Sequence, residues 1–159
     1  MEVEAIIEIP MGTQNKYEVD HISHKIKLDR VLSSSVSYPC EYGFIENTLA
    51  GDGDPLDILV LTTFPTFPGC IIKSRVLGYL EIIDNGFNDE KVISVNATDP
   101  RFDHIQKLSD LPDHTIEEIK EFFKTYKHLQ GIEVDIGNLH TVEETQKLID
   151  ECKKRFIEN

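Results

Sequence analysis

The sequence predicts an α+β domain, a small closed β-barrel with two C-terminal helices packed on its flank, and three observations carry that prediction. The first two thirds of the 159 residues hold apolar, partly alternating runs rich in Ile, Val and Leu. Pro and Gly punctuate those runs at the spacing of a barrel or sandwich, and the last third switches to helical periodicity. With 40% hydrophobic and 28% charged residues, the length suits one compact domain over 1–159 and is too short for two ordinary ones.

The strand candidates in order are "VEAIIEI", "HKIKLDRVL", "DILVLTTF", "CIIKSRVLGYLEII" and "KVISVNA". Between them stand Pro10, Gly12, Pro39, Gly43, Gly51, Gly53, Pro65, Pro68 and Gly69, and "YPCEYG" reads as a turn. From Thr115, "TIEEIKEFFKTYKHL" puts Ile116, Ile119, Phe122, Phe123 and Tyr126 on one stripe, behind a capping box of Thr115 and Glu118. A second box, Thr141 with Glu144, opens "TVEETQKLIDECKKRF", whose stripe is Val142, Leu148, Ile149, Cys152 and Phe156. Strands come first and helices afterwards, with no internal repeat or low-complexity linker.

The formal charge of −13, from 29 acids against 16 bases, argues against nucleic acid or an anionic membrane as a partner. The N-terminus "MEVEAIIEIP" lacks the basic flank of a signal peptide, and no apolar run approaches the roughly 18 residues of a membrane span. Cys40, Cys70 and Cys152 are odd in number, far apart and without a CxxC, which suggests neither a disulfide framework nor zinc. A reducing cytoplasm is the expected compartment.

The stretch "AGDGDPLDILVL" sets Asp52, Asp54 and Asp57 within six positions directly before an apolar strand. A solvated turn accounts for such a cluster, since Asp, Gly and Pro are ordinary turn residues. An EF-hand does not: counting from Asp52, its required Gly and Glu positions are Asp57 and Thr63. A Mg²⁺ site fits better, because oxygen ligands suit a hard cation, Pro55 stiffens the loop and Asp57 opens a buried strand. A second acidic turn, Asp84, Asp89 and Glu90 in "EIIDNGFNDEK", also terminates apolar strands, and two such turns meeting at one barrel end would gather several divalent ions. Lys16, Arg30 and Lys127 are basic partners for a small anion, although each alone reads equally as surface charge.

Taken in order, "IEIP", "KYEVD", "LDR", "YPCEYGFIENTL", "DGDPLDILV", "FPGCIIKSRVLGYLEIID", "DEK" and "FFKTYK" make the chain resemble the family I soluble inorganic pyrophosphatases, bacterial type. The resemblance weakens beyond about Leu129. It implies an OB-like barrel and Mg²⁺-dependent hydrolysis of pyrophosphate to two orthophosphates by in-line attack of a metal-activated water, with several ions per site. By the same resemblance Asp52, Asp57 and Asp89 are ligands of tightly held metals, Asp84 joins Asp89 on a further ion, and Asp54 is the general base. Glu18 and Glu8 serve outer metals. Lys16, Arg30, Tyr42, Lys91, Tyr126 and Lys127 form the substrate-binding set, with Tyr38 in support. Read from the residues alone, Tyr38 and Tyr42 fit core aromatics, Tyr126 a helix-stripe residue, and Cys40 packing.

Two departures from the family pattern stand out. Asn85 replaces the acid expected after Asp84 and, with Gly86, makes a tight-turn signal; one fewer charge there implies weaker binding of the outermost Mg²⁺. Bacterial relatives are typically hexamers with histidines around the Phe–Phe pair, whereas this chain has Glu121 and Thr125. A homo-oligomer, expected as a hexamer, is therefore an inference from resemblance alone. Two other classes compete: a Mg²⁺-dependent phosphohydrolase acting on nucleotides or polyphosphate, and a non-catalytic barrel binding oligonucleotide or Ca²⁺. The lack of an insertion to hold a base disfavours the first, and the acidic charge and failed EF-hand spacing disfavour the second.

Overall fold

Five strands close on one another in a ring, in a computed structural model that describes residues 1–159. They are β1 (Glu2–Ile9), β4 (Glu41–Ile45), β5 (Asp57–Leu61), β8 (Lys91–Asn96) and β6 (Ile71–Asp84), which returns to β1. Only β5 and β8 run parallel. Beyond the ring, β6 also pairs with β7 (Phe87–Asn88) and β9 (Val134–His140), while β2 (Asn15–Val19) and β3 (Ile26–Val31) form a separate hairpin. The two helices are α1 (Asp113–Thr125) and α2 (Val142–Glu158).

Two bulges decide which face each strand presents. On β1, Ile7 pairs with Gly43 and Ile9 with Tyr42, so Glu8 is the extra residue. On β6, Val76 pairs with Ser94 and Gly78 with Ile93, leaving Leu77 extra. Each insertion reverses the alternation beyond it. Ala5, Ile7, Ile72 and Val76 therefore pack with Ile58, Val60, Val92 and, from α2, Ile149 and Cys152. Past the bulges, Ile9, Leu80 and Ile82 join Leu59, Ile93, Val95 and the α1 stripe in a second core. At Gly43 an added Cβ would stand 1.9 Å from the Ile6 carbonyl oxygen, so glycine alone permits β1 and β4 to approach this closely.

The fold class matches the expectation, and several local readings change. "YPCEYG" leads into a central strand, β4, because Tyr38, Cys40 and Phe44 supply the core with apolar surface. The polar run "NKYEV" is β2 and pairs across its hairpin. A strand, β9, separates the two helices; its Gly137 and Asn138 hide a strand pattern, yet a Cβ at Gly137 would press on Glu81 at 2.8 Å. The capping box at Thr115 does not form. Pro112 is the N-cap instead, three residues before Thr115, and its carbonyl accepts the Thr115 N–H at 3.0 Å. The stripe Ile116, Ile119, Phe122, Phe123 and Tyr126 is buried as expected. The Thr141–Glu144 box forms in both directions; Ile149 and Cys152 are buried, whereas Phe156 ends exposed.

Candidate active site

The parallel β5–β8 pair puts the starts of two strands at the same end of the ring, so Asp57 and Lys91 become register partners. The loop before β5 and the turn after β6 come with them. Around that end lies an open cavity of about 650 Å³ lined by 21 residues, of which 5 are hydrophobic. Thirteen of the expected site residues line it: Glu8 from the β1 bulge; Lys16, Glu18 and Arg30 from the hairpin; Tyr42 from β4; Asp52, Asp54 and Asp57; Asp84 and Asp89; Lys91; and Tyr126 and Lys127 after α1. Tyr38 does not reach the cavity. It is buried behind it, its ring edge-on to Tyr42 at 5.7 Å.

The loop "GDGDP" folds on itself, with the Asp54 N–H donating to Asp52 Oδ1 at 3.0 Å and the Ala50 N–H to the Asp54 carbonyl at 2.7 Å. Gly53, at φ +95°, takes a backbone form that L side chains resist. Asp52 and Asp54 are exposed, while Asp57 is held at the strand end. Lys91, only 2% exposed, donates to Asp57 Oδ2 at 2.6 Å, Asp89 Oδ1 at 2.8 Å and the Tyr42 hydroxyl at 3.1 Å. The Tyr42 hydroxyl donates to Asp57 Oδ2 at 2.7 Å. Lys127 pairs with Asp84. On the hairpin, Lys16 reaches Glu18 at 2.8 Å and Asp29 at 3.3 Å.

Burial works against the Lys91 ammonium, but the Asp57 and Asp89 charges outweigh it and hold the amine protonated well above its usual range. Burial raises the Asp89 carboxyl despite Lys91, and pushes Glu8 up to about 7 although the Val19 N–H donates to it at 2.9 Å. Burial likewise raises Tyr38, Tyr42 and Tyr126, so their hydroxyls stay protonated. Cys40, buried in the core, is lifted to about 12 and is inert, in keeping with a packing role.

No three acidic, His or Cys side chains converge closely enough to hold an ion by themselves. The donor chemistry nevertheless fits hard cations: eight carboxylates face the cavity, with no thiol and one imidazole. Asp20, His21, Lys27, Phe44, Phe87 and Asn88 line it as well, beyond the residues legible in the motifs. Lys27 comes to the cavity through its pairing across the hairpin with Glu18, which no linear motif records. Asn85 does not line the cavity. It is exposed at φ +52° beside Gly86 at +84°, a tight turn, so the missing charge lies outside the lining.

Comparison with known proteins gives this arrangement a family. The inorganic pyrophosphatase family model matches residues 5–157. The chain is 56% identical to the inorganic pyrophosphatase of Geobacillus stearothermophilus over 156 residues, covering 98% of this chain and 94% of that protein. It superposes on the crystal structure of inorganic pyrophosphatase from Thermus thermophilus with a TM-score of 0.94 at 44% identity, covering 98% of this chain and 91% of the other. The Helicobacter pylori inorganic pyrophosphatase gives 0.95 at 35% identity, over 98% and 94%. The chain thus belongs to the family I inorganic pyrophosphatases.

Proposed function

We propose that residues 1–159 form one pyrophosphatase domain that hydrolyses inorganic pyrophosphate to two orthophosphates, with several Mg²⁺ ions at the site. One observation carries the reading: eight carboxylates and five Lys or Arg side chains share one small, predominantly polar cavity at the end of the strand ring. Such a mixture suits a compact, highly charged anion that arrives with cations. It offers little apolar surface to hold a nucleobase.

In this reading Asp52, Asp57, Asp84 and Asp89 would hold the ions most directly, and Glu8 and Glu18 would serve the outer ones. Bound Mg²⁺ supplies charge neutralisation at the phosphoryl oxygens and a lowered water pKa. The chain's own residues do the rest. Asp54, exposed on its loop, accepts the proton as the water oxygen bonds to phosphorus and the bridging P–O bond breaks. Lys16, Arg30, Lys91 and Lys127 bind phosphoryl oxygens, and the protonated hydroxyls of Tyr42 and Tyr126 donate to them. Charge accumulates on the departing phosphate, so these donors favour the transition state over the ground state. Tyr38 holds the Tyr42 ring from behind. Positioning and electrostatics suffice for phosphoryl transfer, and no nucleophilic side chain is required.

The reading extends to a homo-oligomer, a hexamer, which sedimentation would measure, and to a cytoplasmic protein that takes neither nucleic acid nor membrane as partner. No helix is long and apolar enough to cross a membrane. The deciding experiment is phosphate release from pyrophosphate with Mg²⁺ at neutral to mildly alkaline pH. Release well above background is expected; none above background overturns the proposal.

A further inference from the structure

Leu49 stands at the foot of the loop that carries Asp52 and Asp54, and one turn of α2 holds both of its backbone groups. Its N–H donates to the Cys152 carbonyl at 3.0 Å, and its carbonyl accepts from Arg155 Nη1 at 2.9 Å. Cys152 is fully buried and packs with Ile58, Val92 and Ile149, so the turn that grips Leu49 is anchored in the core. Arg155 is not an ordinary surface ion pair. In a chain with 29 acids, its guanidinium hydrogen-bonds a main-chain carbonyl and lies 3.8 Å from the Cys152 sulfur.

The Leu49 carbonyl and the Ala50 N–H belong to one planar peptide unit. That N–H donates to the Asp54 carbonyl at 2.7 Å, and the Gly53 N–H returns to the Ala50 carbonyl at 3.2 Å. A rigid plate thus links Arg155 at one edge to the main chain of Asp54 at the other, and polarisation along such a chain strengthens both bonds. The rest of the loop has less to hold it. Residues 51–54 are exposed, and the Asp54 N–H is bonded within the loop, to Asp52. Turning the plate would move the Asp54 main chain and, with it, the carboxylate that lines the cavity.

We infer that Arg155 is a positioning residue for the hydrolytic step: through the Leu49–Ala50 peptide it fixes the place of Asp54, the base. The inference rests on the pyrophosphatase reading of the site. Arg155 does not line the cavity, so it acts on kcat through Asp54 and not on the binding of pyrophosphate.

The test compares Arg155→Met with Lys154→Met, which removes the same charge one position earlier, from a side chain that is 76% exposed and reaches Glu158 at 3.8 Å. Wild-type turnover with Mg²⁺ is measured first. Its absence would defeat the functional reading, while amide exchange, which needs no substrate, would still test the tether. In Arg155→Met the Ala50 amide, read by NMR, should exchange about threefold or more faster than in wild type, with the Ile149 and Cys152 amides of α2 unchanged. Its kcat should fall about three- to tenfold, the range of one hydrogen bond, with KM within about twofold of wild type. Placed in Asp54→Asn, the same substitution should lower kcat by less than about twofold further, because the base it positions is gone. Lys154→Met should match wild type throughout. Unchanged Ala50 exchange or unchanged kcat in Arg155→Met overturns the inference, as does an equal loss in Lys154→Met. A full, multiplicative loss in the Asp54→Asn background overturns it too, since Arg155 would then not act through the base. Faster exchange at Ile149 and Cys152, or an unfolded Arg155→Met, would make Arg155 a support of the helix and would equally overturn it.

Discussion

The Lys91 ammonium lies 2.6 Å from Asp57 Oδ2, and these two residues are also the first register partners of the parallel β5–β8 pair. Backbone pairing therefore fixes the ion pair, with Asp89 as its third member at 2.8 Å. Lys91→Met leaves two partly buried carboxylates without their cation. Removing one partner of a buried pair costs about 3 kcal/mol or more, so chemical denaturation should show a loss of that size. Pyrophosphate turnover should fall with it.

Asp54 and Asp57 lie three positions apart but differ in setting, one exposed on a loop and the other held by Lys91 and Tyr42. Asp54→Asn should lower kcat by roughly 10²-fold or more while leaving Mg²⁺ affinity mostly intact. Asp57→Asn should damage both. Steady-state kinetics over a Mg²⁺ titration would separate them, and near wild-type turnover in Asp54→Asn would contradict its role as base.

Lys127 lines the cavity and pairs with Asp84, whereas Lys124, one turn earlier, is exposed to solvent. Lys127→Ala should reduce turnover roughly tenfold or more. Lys124→Ala should leave it within about twofold, the range of a solvated helix charge. Equal, negligible effects would make Lys127 a surface charge.

Asn85 holds a left-handed backbone at φ +52° and stays outside the cavity lining. Asn85→Glu should leave the Mg²⁺ activation curve in place. It should cost about 1 kcal/mol of stability, since Glu adopts that conformation less readily than Asn. A shift of activation to lower Mg²⁺ would show instead that the added charge reaches the ions.

Glu41 is fully buried and accepts from the Thr66 N–H at 2.6 Å and the Thr66 hydroxyl at 3.2 Å. Burial raises its carboxyl above the ordinary glutamate value of 4.5. The folded protein therefore holds that proton more tightly than the unfolded chain. Below pH 4.5 both states are protonated and the group costs nothing; as pH rises through the raised folded value, wild type loses stability. Glu41→Gln keeps a Thr66 acceptor without the charge, so its Tm should gain on wild type between pH 4.5 and neutrality. A constant Tm difference over that window would count against the shift.

Most of the residues that line the cavity stand in short motifs legible in the sequence, whereas several strands around them do not. Asp52, Asp54, Asp57 and the Asp84–Lys91 turn sit at strand ends, where a short motif fixes both backbone and chemistry. Two helix stripes and the Thr141 box were legible for the same local reason. What escaped depends on partners distant in sequence: β4 and β9 are strands because β1, β5 and β6 lie beside them, and Gly43 or Gly137 lower any local strand signal. Thr115 satisfies the capping pattern, but Pro112 starts the helix first. Lys27 gains its place from a cross-strand pair that no linear motif records.

The strand β6 joins β1, β7, β8 and β9, and the ring closes where Glu2 meets Arg75. During synthesis, β1, which ends at Ile9, has no closing partner until β6 begins at Ile71, and the parallel seam waits for β8 as well. Such long-range pairings make loop-closure entropy the main barrier and place folding in the slow, millisecond-to-second regime of β-rich topologies. The cavity completes later still, when Tyr126 and Lys127 arrive. Truncated chains ending before α1 therefore contain every aspartate of the site and still cannot assemble it.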